Sequence, residues 1–131
     1  MKQLLLNLSI ILIFTACKKE AGEGGNSVIQ GKILERRYTA FPTIYSDNAA
    51  IEKDVYIIYG DGNTTFDDRT KTSFDGSYKF EFLRKGKYKI FVYSEDTVLT
   101  NFGKDIPIFL DAEIKKNRSE VNVTTITTVN L

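Results

Sequence analysis

The stretch Thr72-Ser73-Phe74-Asp75-Gly76-Ser77-Tyr78-Lys79-Phe80-Glu81-Phe82-Leu83-Arg84-Lys85-Gly86-Lys87-Tyr88-Lys89-Ile90 decides the fold. Tyr78, Phe80 and Phe82 alternate with Lys79 and Glu81, and after Leu83-Arg84-Lys85-Gly86 the alternation resumes through Tyr88, Ile90 and Val92. A period of two places successive side chains on opposite faces, so the stretch predicts two half-buried strands joined by a tight turn. Tyr78 and Phe80 are expected to point inward, and the alternation sets Phe82 on the same face. Asp75-Gly76 supplies a turn on one side, and Gly86 permits the reversal before Tyr88.

The same period extends in both directions. Ile29, Gly31 and Ile33 share one face of an earlier strand, and Val55, Ile57 and Tyr59 share one face of the next. Ile106, Ile108 and Leu110 follow, and Val121, Val123 and the Thr-rich run to Val129 close the pattern. Gly60-Asp61-Gly62-Asn63 reads as a further turn. Pro107 cannot donate to a ladder, which predicts an edge strand or a bulge at that point. Arg36 to Lys53 reads as a long connection rich in aromatic residues, of a length that suits function. No long stretch shows a period of 3.6. The pattern predicts six or seven strands in an all-β fold, with two sheets packed face to face.

The quoted block resembles the carboxypeptidase regulatory-like domains: a threonine, a turn ending in Asp-Gly, an aromatic strand, Leu83, a glycine turn, then Tyr88 leading the next strand. The resemblance covers roughly Val28 to Ser94. It implies a seven-stranded antiparallel β-sandwich of the transthyretin (prealbumin) type, and it names no ligand, since one fold hosts many functions. Two relatives with defined chemistry can be compared by residue. Transthyretin-like hydrolases that open a purine-derived ring rely on histidines, which this chain lacks. Collagen-adhesin B-type repeats form an internal Lys-Asn or Lys-Asp bond assisted by an acid. Lys32 and Asn122 stand as the amine and acceptor here, but Val92 occupies the place of the acid.

At the beginning, Met1-Lys2-Gln3 precedes an apolar run from Leu4 to Phe14, followed by Thr15-Ala16-Cys17. A charged start, a short apolar run and small residues before a cut site form a secretory signal, and the run is shorter than the roughly 20 residues of a membrane span. Phe14-Thr15-Ala16-Cys17 resembles the lipobox of bacterial lipoproteins, with Phe14 where Leu is usual. That resemblance implies a cleaved signal helix over residues 1–16 and a lipidated Cys17. Lys18 to Ser27, with Gly22, Gly24 and Gly25, reads as a flexible tether that completes residues 17–27, and the β-sandwich domain then spans residues 28–131. Lys18-Lys19-Glu20 resembles the short charged signals of surface lipoproteins in some Bacteroidetes. The resulting location is the cell envelope, anchored by lipid to the outer membrane on its periplasmic or surface face.

The chain contains 18 Lys plus Arg and 17 Asp plus Glu, so removing Lys2 with the signal leaves 17 against 17. Such a balance points away from nucleic acid as a partner. With no His and one Cys, the sequence offers no His-based triad, no His or Cys zinc site and no structural disulfide. No active site is expected, and no cofactor.

Two groups of residues remain as candidates. Asp61, Asn63, Asp67 and Asp68 gather hard oxygen ligands suited to calcium, although Phe66 stands where an EF-hand loop needs Gly; the same residues equally suit a solvated hairpin loop. Tyr38, Phe41, Tyr45 and Tyr56, with Tyr59 and Tyr93, could stack on sugar rings or on a partner, or pack over a sheet edge. The expected function is a non-enzymatic, lipid-anchored envelope module that binds a glycan or an envelope protein. A purely structural envelope protein is the alternative, with an enzyme working through carboxylates alone as a third class. The binding module requires an aromatic or concave exposed patch beside the Arg36 to Lys53 connection, whereas the structural protein requires an evenly polar surface.

Overall fold

The computed structural model describes residues 20–62 and 64–131. It contains nine strands: β1 (Glu23–Ala40), β2 (Ile44–Ala49), β3 (Asp54–Tyr59), β4 (Asp68–Lys71), β5 (Ser77–Leu83), β6 (Gly86–Glu95), β7 (Asp105–Ile114), β8 (Glu120–Asn122) and β9 (Ile126–Asn130). One sheet is ordered β4-β3-β6-β7 and is antiparallel throughout. The other is built around β1, which pairs with β5 and β2 antiparallel and with β8 and β9 parallel. No helix occurs among the described residues, and none is therefore long and apolar enough to cross a membrane.

The all-β, two-sheet expectation agrees with this architecture, while the strand count and the wholly antiparallel arrangement need correction. The described residues form nine strands instead of six or seven, and β8 and β9 run alongside β1 in the same direction. Strand direction is set by long-range pairing, on which local alternation is silent.

β1 exchanges partners along its length. Ile33 donates its N–H to Gly76 and accepts at its carbonyl from Ala50, so the start of β5 and the end of β2 meet on one side of β1 at that residue. A side chain at Gly76 would press on the Ile33 carbonyl, and Gly76 sits at φ +80°, which together require glycine. Thr72 ties the same corner together by donating to the Ala50 carbonyl and accepting from the Lys53 amide.

Alternation fills the space between the sheets. Ile29 and Ile33 of β1, Val55 and Ile57 of β3, Phe80 of β5, Tyr88, Ile90 and Val92 of β6, and Ile114 of β7 form one buried cluster. Each such aliphatic side chain taken fully from water contributes about 1.5–3 kcal/mol. Pro107 lies on β7, the edge of its sheet, opposite Tyr93, as its missing donor predicts.

Three local expectations are overturned. Phe82 does not point inward: it adopts φ +58° and is 68% exposed, while Leu83 is buried in its place. Between the pairs Ile29↔Phe80 and Ser27↔Leu83, β5 carries one extra residue, a bulge that flips the face on which later side chains emerge. The run from Lys18 to Ser27 is not tether throughout, since β1 begins at Glu23 and Ser27 is buried. Arg36 to Lys53 is not a loop, since β1 and β2 pair from Leu34↔Ala49 to Ala40↔Ile44 as a hairpin.

The strands define two ends. At one lie the start of β1, the β3–β4 loop, the β5–β6 turn and the β7–β8 turn. There Arg84 donates its amide to the Gly22 carbonyl, and Arg118 donates its amide to the Asn26 side chain. At the other end the β1–β2 hairpin tip meets the β6–β7 loop through Phe41 and Phe102.

Candidate functional site

Residues of β3, β6 and β7 that alternate with the core side chains face away from the other sheet. Tyr56, Phe91 and Phe109 stand directly opposite one another across these three strands, so one row of the outward face is aromatic. The Tyr56 and Phe91 rings stack at 4.9 Å and 13°. Tyr93 meets both edge-on, each at 5.7 Å, and Phe109 lies 5.2 Å from Phe91. Phe66, from the turn before β4, closes the group 4.8 Å from Tyr56.

Phe91 is 7% exposed although it lies outside the core, because the other rings cover it. Phe66, Tyr93 and Phe109 remain about half exposed. Polar groups border the rings: Arg69 opposes Tyr56 in the β3–β4 register, and Lys89 bonds Asp111 at 2.8 Å. That contact holds the Lys89 ammonium charged to a higher pH than usual. The arrangement offers ring faces, phenol hydroxyls and both signs of charge on one surface.

A second aromatic group caps the β1–β2 hairpin. Tyr38 lies 4.9 Å from Phe41 and 5.6 Å from Tyr45, and Phe102 packs 5.1 Å from Phe41. Arg36 sits 4.0 Å above the Tyr45 ring and forms a two-bonded pair with Asp47 at 2.7 Å. This hydrogen-bonded pair lowers the Asp47 carboxyl below its usual range and holds Arg36 more firmly charged.

The structure thus brings Tyr38, Phe41 and Tyr45 together and places Tyr56 with a different set. Phe66, Phe91, Phe109 and Phe102 did not stand out in the sequence. A signal for two of them was present, since Phe91 falls between the inward Ile90 and Val92, and Phe109 between Ile108 and Leu110.

The remaining candidates are dispersed. The Asp67 carboxylate accepts from the Tyr59 amide at 2.7 Å and Asp68 from the Arg69 amide at 2.8 Å, while Asp61 reaches Lys87 at 3.8 Å. Among the described residues no three Asp, Glu, His or Cys side chains gather as a metal site. Asn63 and Cys17 lie outside the described residues. Lys32 is exposed on the solvent side of its sheet and Asn122 accepts from Gln30. Val92, in contrast, is fully buried in the facing sheet, so the residues of an internal cross-link are not assembled.

No protein-family model matches the chain, and no curated protein matches it. Among solved structures it aligns with the crystal structure of a "putative carbohydrate binding protein" from Pseudomonas aeruginosa. The identity is 11% and the TM-score 0.45, over 84% of this chain and 92% of that one.

Proposed function

We propose that this protein is a non-enzymatic binding module of the cell envelope, anchored through a lipidated Cys17, that holds a glycan against the aromatic outer face of the β4-β3-β6-β7 sheet. The carrying observation is the parallel stack of Tyr56 on Phe91 with Phe66, Tyr93 and Phe109 around it. Exposing so much ring surface in one place works against solubility unless something covers it in use. A pyranose presents a face of C–H groups that lies flat on such rings, with its hydroxyls at the rim. Arg69, Lys89 and Asp111 stand at that rim. An evenly polar surface, which a purely structural role requires, is not what this face presents.

The lipobox resemblance of Phe14 to Cys17 supports the anchor, and the block from Thr72 to Ile90 supports a place among carboxypeptidase regulatory-like domains. The binding test is retention of detergent-solubilised full-length protein on immobilised envelope polysaccharides, for wild type and for Phe109→Ala with Tyr93→Ala. Loss of retention in the variant supports the reading, and equal retention overturns it. Labelling with an alkyne fatty acid tests the anchor: Cys17→Ser should abolish incorporation, because a hydroxyl does not replace the acylated thiol.

A further inference from the structure

The chain carries a net charge of only +1, but its charges are not evenly placed. The β5–β6 turn contributes Arg84 and Lys85, the start of β6 contributes Lys87, and the β7–β8 turn contributes Lys115, Lys116 and Arg118, with no acidic residue within 83–87 or 115–119. Both turns are fastened to the same short stretch of β1. Arg84 donates its amide to Gly22, and Leu83 pairs with Ser27. On the other side, Ser27 donates its hydroxyl to the Lys116 carbonyl.

All six cations therefore lie at one end; five of them are exposed, while Arg84 is partly buried with its guanidinium beside Gly22. Of the carboxylates on the adjoining faces, Glu81 is engaged by Lys79 and Asp111 by Lys89. Acids also stand near this end: Asp61 lies 3.8 Å from Lys87, Glu113 opposes Lys87 across β6 and β7, Glu23 accepts from the Tyr59 hydroxyl, and Glu20 and Glu120 flank the two turns. Among the described residues none of them forms an ion pair with Lys85, Lys115, Lys116 or Arg118, so the cations at the turn tips stay open to an anionic surface.

The start of the described chain is held at the same end. The Gly22 amide donates to the Tyr88 hydroxyl at 2.9 Å, and a side chain at Gly86 would lie 2.6 Å from the Ala21 methyl carbon. Only Lys18, Lys19 and Glu20 separate Cys17 from Ala21. A fully extended chain of that length spans at most about 14 Å.

From this geometry we infer that the basic end lies against an anionic lipid surface, so that the domain stands upright with the β1–β2 hairpin tip pointing away. The inference rests on the reading of Cys17 as the lipid anchor. Anionic headgroups attract each nearby cation over about one Debye length, roughly 8–10 Å, and a leash of at most about 14 Å lets the two turns come within that range. A flexible tether of ten residues would have left the domain free to tumble, whereas a fastened start selects one orientation.

The test uses full-length acylated protein in phosphatidylcholine vesicles, with and without about one quarter phosphatidylglycerol, and measures amine labelling residue by residue. On the anionic vesicles, labelling of Lys85, Lys115 and Lys116 should slow at least about fivefold and recover at about 0.5 M salt. Lys104, at the opposite end, should label equally in both. A Lys115→Glu, Lys116→Glu variant should stay on the vesicles while Lys85 and Lys87 become labelled again. Vesicle-bound protein with equal labelling in the two lipids overturns the inference and leaves the anchor intact. Absence of the acylated protein from vesicles of either kind overturns the anchor reading and the orientation together.

Discussion

The amide of Gly22 donates to the phenol oxygen of Tyr88 at 2.9 Å across 66 positions of chain. The same phenol donates to the Arg84 carbonyl at 2.6 Å. One hydroxyl thus joins the beginning of β1 to the β5–β6 turn in a buried place. Tyr88→Phe leaves the ring and removes the joint, stranding the Gly22 donor. The expected cost is about 1–3 kcal/mol in urea unfolding, with faster protease cleavage near Gly24. An unchanged midpoint would show that the strap carries no stability.

Neighbouring aromatic residues of β5 should behave oppositely. Phe80 is 4% exposed and Phe82 68%. Phe80→Ala opens a cavity between the sheets and should cost about 3–5 kcal/mol. Phe82→Gly removes an exposed ring and relieves a positive φ, so its effect should stay within about 1 kcal/mol and tend toward stabilisation. Chemical denaturation of the two variants decides it, and similar losses would contradict the bulge.

Tyr78 is 4% exposed and its hydroxyl has no hydrogen-bond partner among the described residues. Burial pushes the phenol up to about 12, against about 10 for a free tyrosine. The folded state thus holds this proton more tightly than the unfolded one. Because burial penalises only the phenolate, the group does not affect the pH dependence below about pH 10, and the fold loses stability as pH rises from there toward 12. Tyr78→Phe removes an unsatisfied polar atom and should stabilise the fold at neutral pH by up to about 1–2 kcal/mol. It should also flatten the alkaline limb of a plot of melting temperature against pH. A steeper limb in the variant would refute the assignment.

On the aromatic face, stability and binding should separate. Phe91 lies beneath the other rings and Phe109 is 52% exposed. Phe91→Ala should cost about 2–4 kcal/mol, although the residue faces away from the main core. Phe109→Ala should change stability by less than about 1 kcal/mol and weaken polysaccharide binding about tenfold, the loss of one stacking contact. Calorimetric unfolding alongside affinity electrophoresis reads both quantities, and coupled losses at Phe109 would make the face purely structural.

Much of the core can be read from alternation, because Ile29, Ile33, Val55, Ile57, Phe80, Tyr88, Ile90 and Val92 obey a period of two and all are buried. Phe82 escaped because a bulge is a local backbone choice that resets the period without altering composition. The hairpin of β1 and β2 escaped because it extends beyond the facing sheet and carries polar residues on both sides, so it looks like a loop. Gly24 and Gly25 suggested freedom, yet a side chain at Gly25 would collide with the backbone at Leu83 and Arg84, so this glycine permits close packing of backbones. The aromatic face is harder still to foresee: Tyr56, Phe66, Phe91 and Phe109 come from separate segments and meet only through strand order. Likewise, a balanced charge total conceals how the turns sort cations to one end.

β1 touches every other strand of its sheet, and its parallel partners β8 and β9 arrive about 90 positions later. A chain emerging from its N-terminus, from a ribosome or through a translocation pore, must hold β1 with one flank unpaired until residues 126–130 appear. Assembly of this domain is accordingly a late and slow event dominated by distant pairings. The waiting strand is the segment most in need of a chaperone, or of salt and temperature conditions that discourage edge-to-edge association.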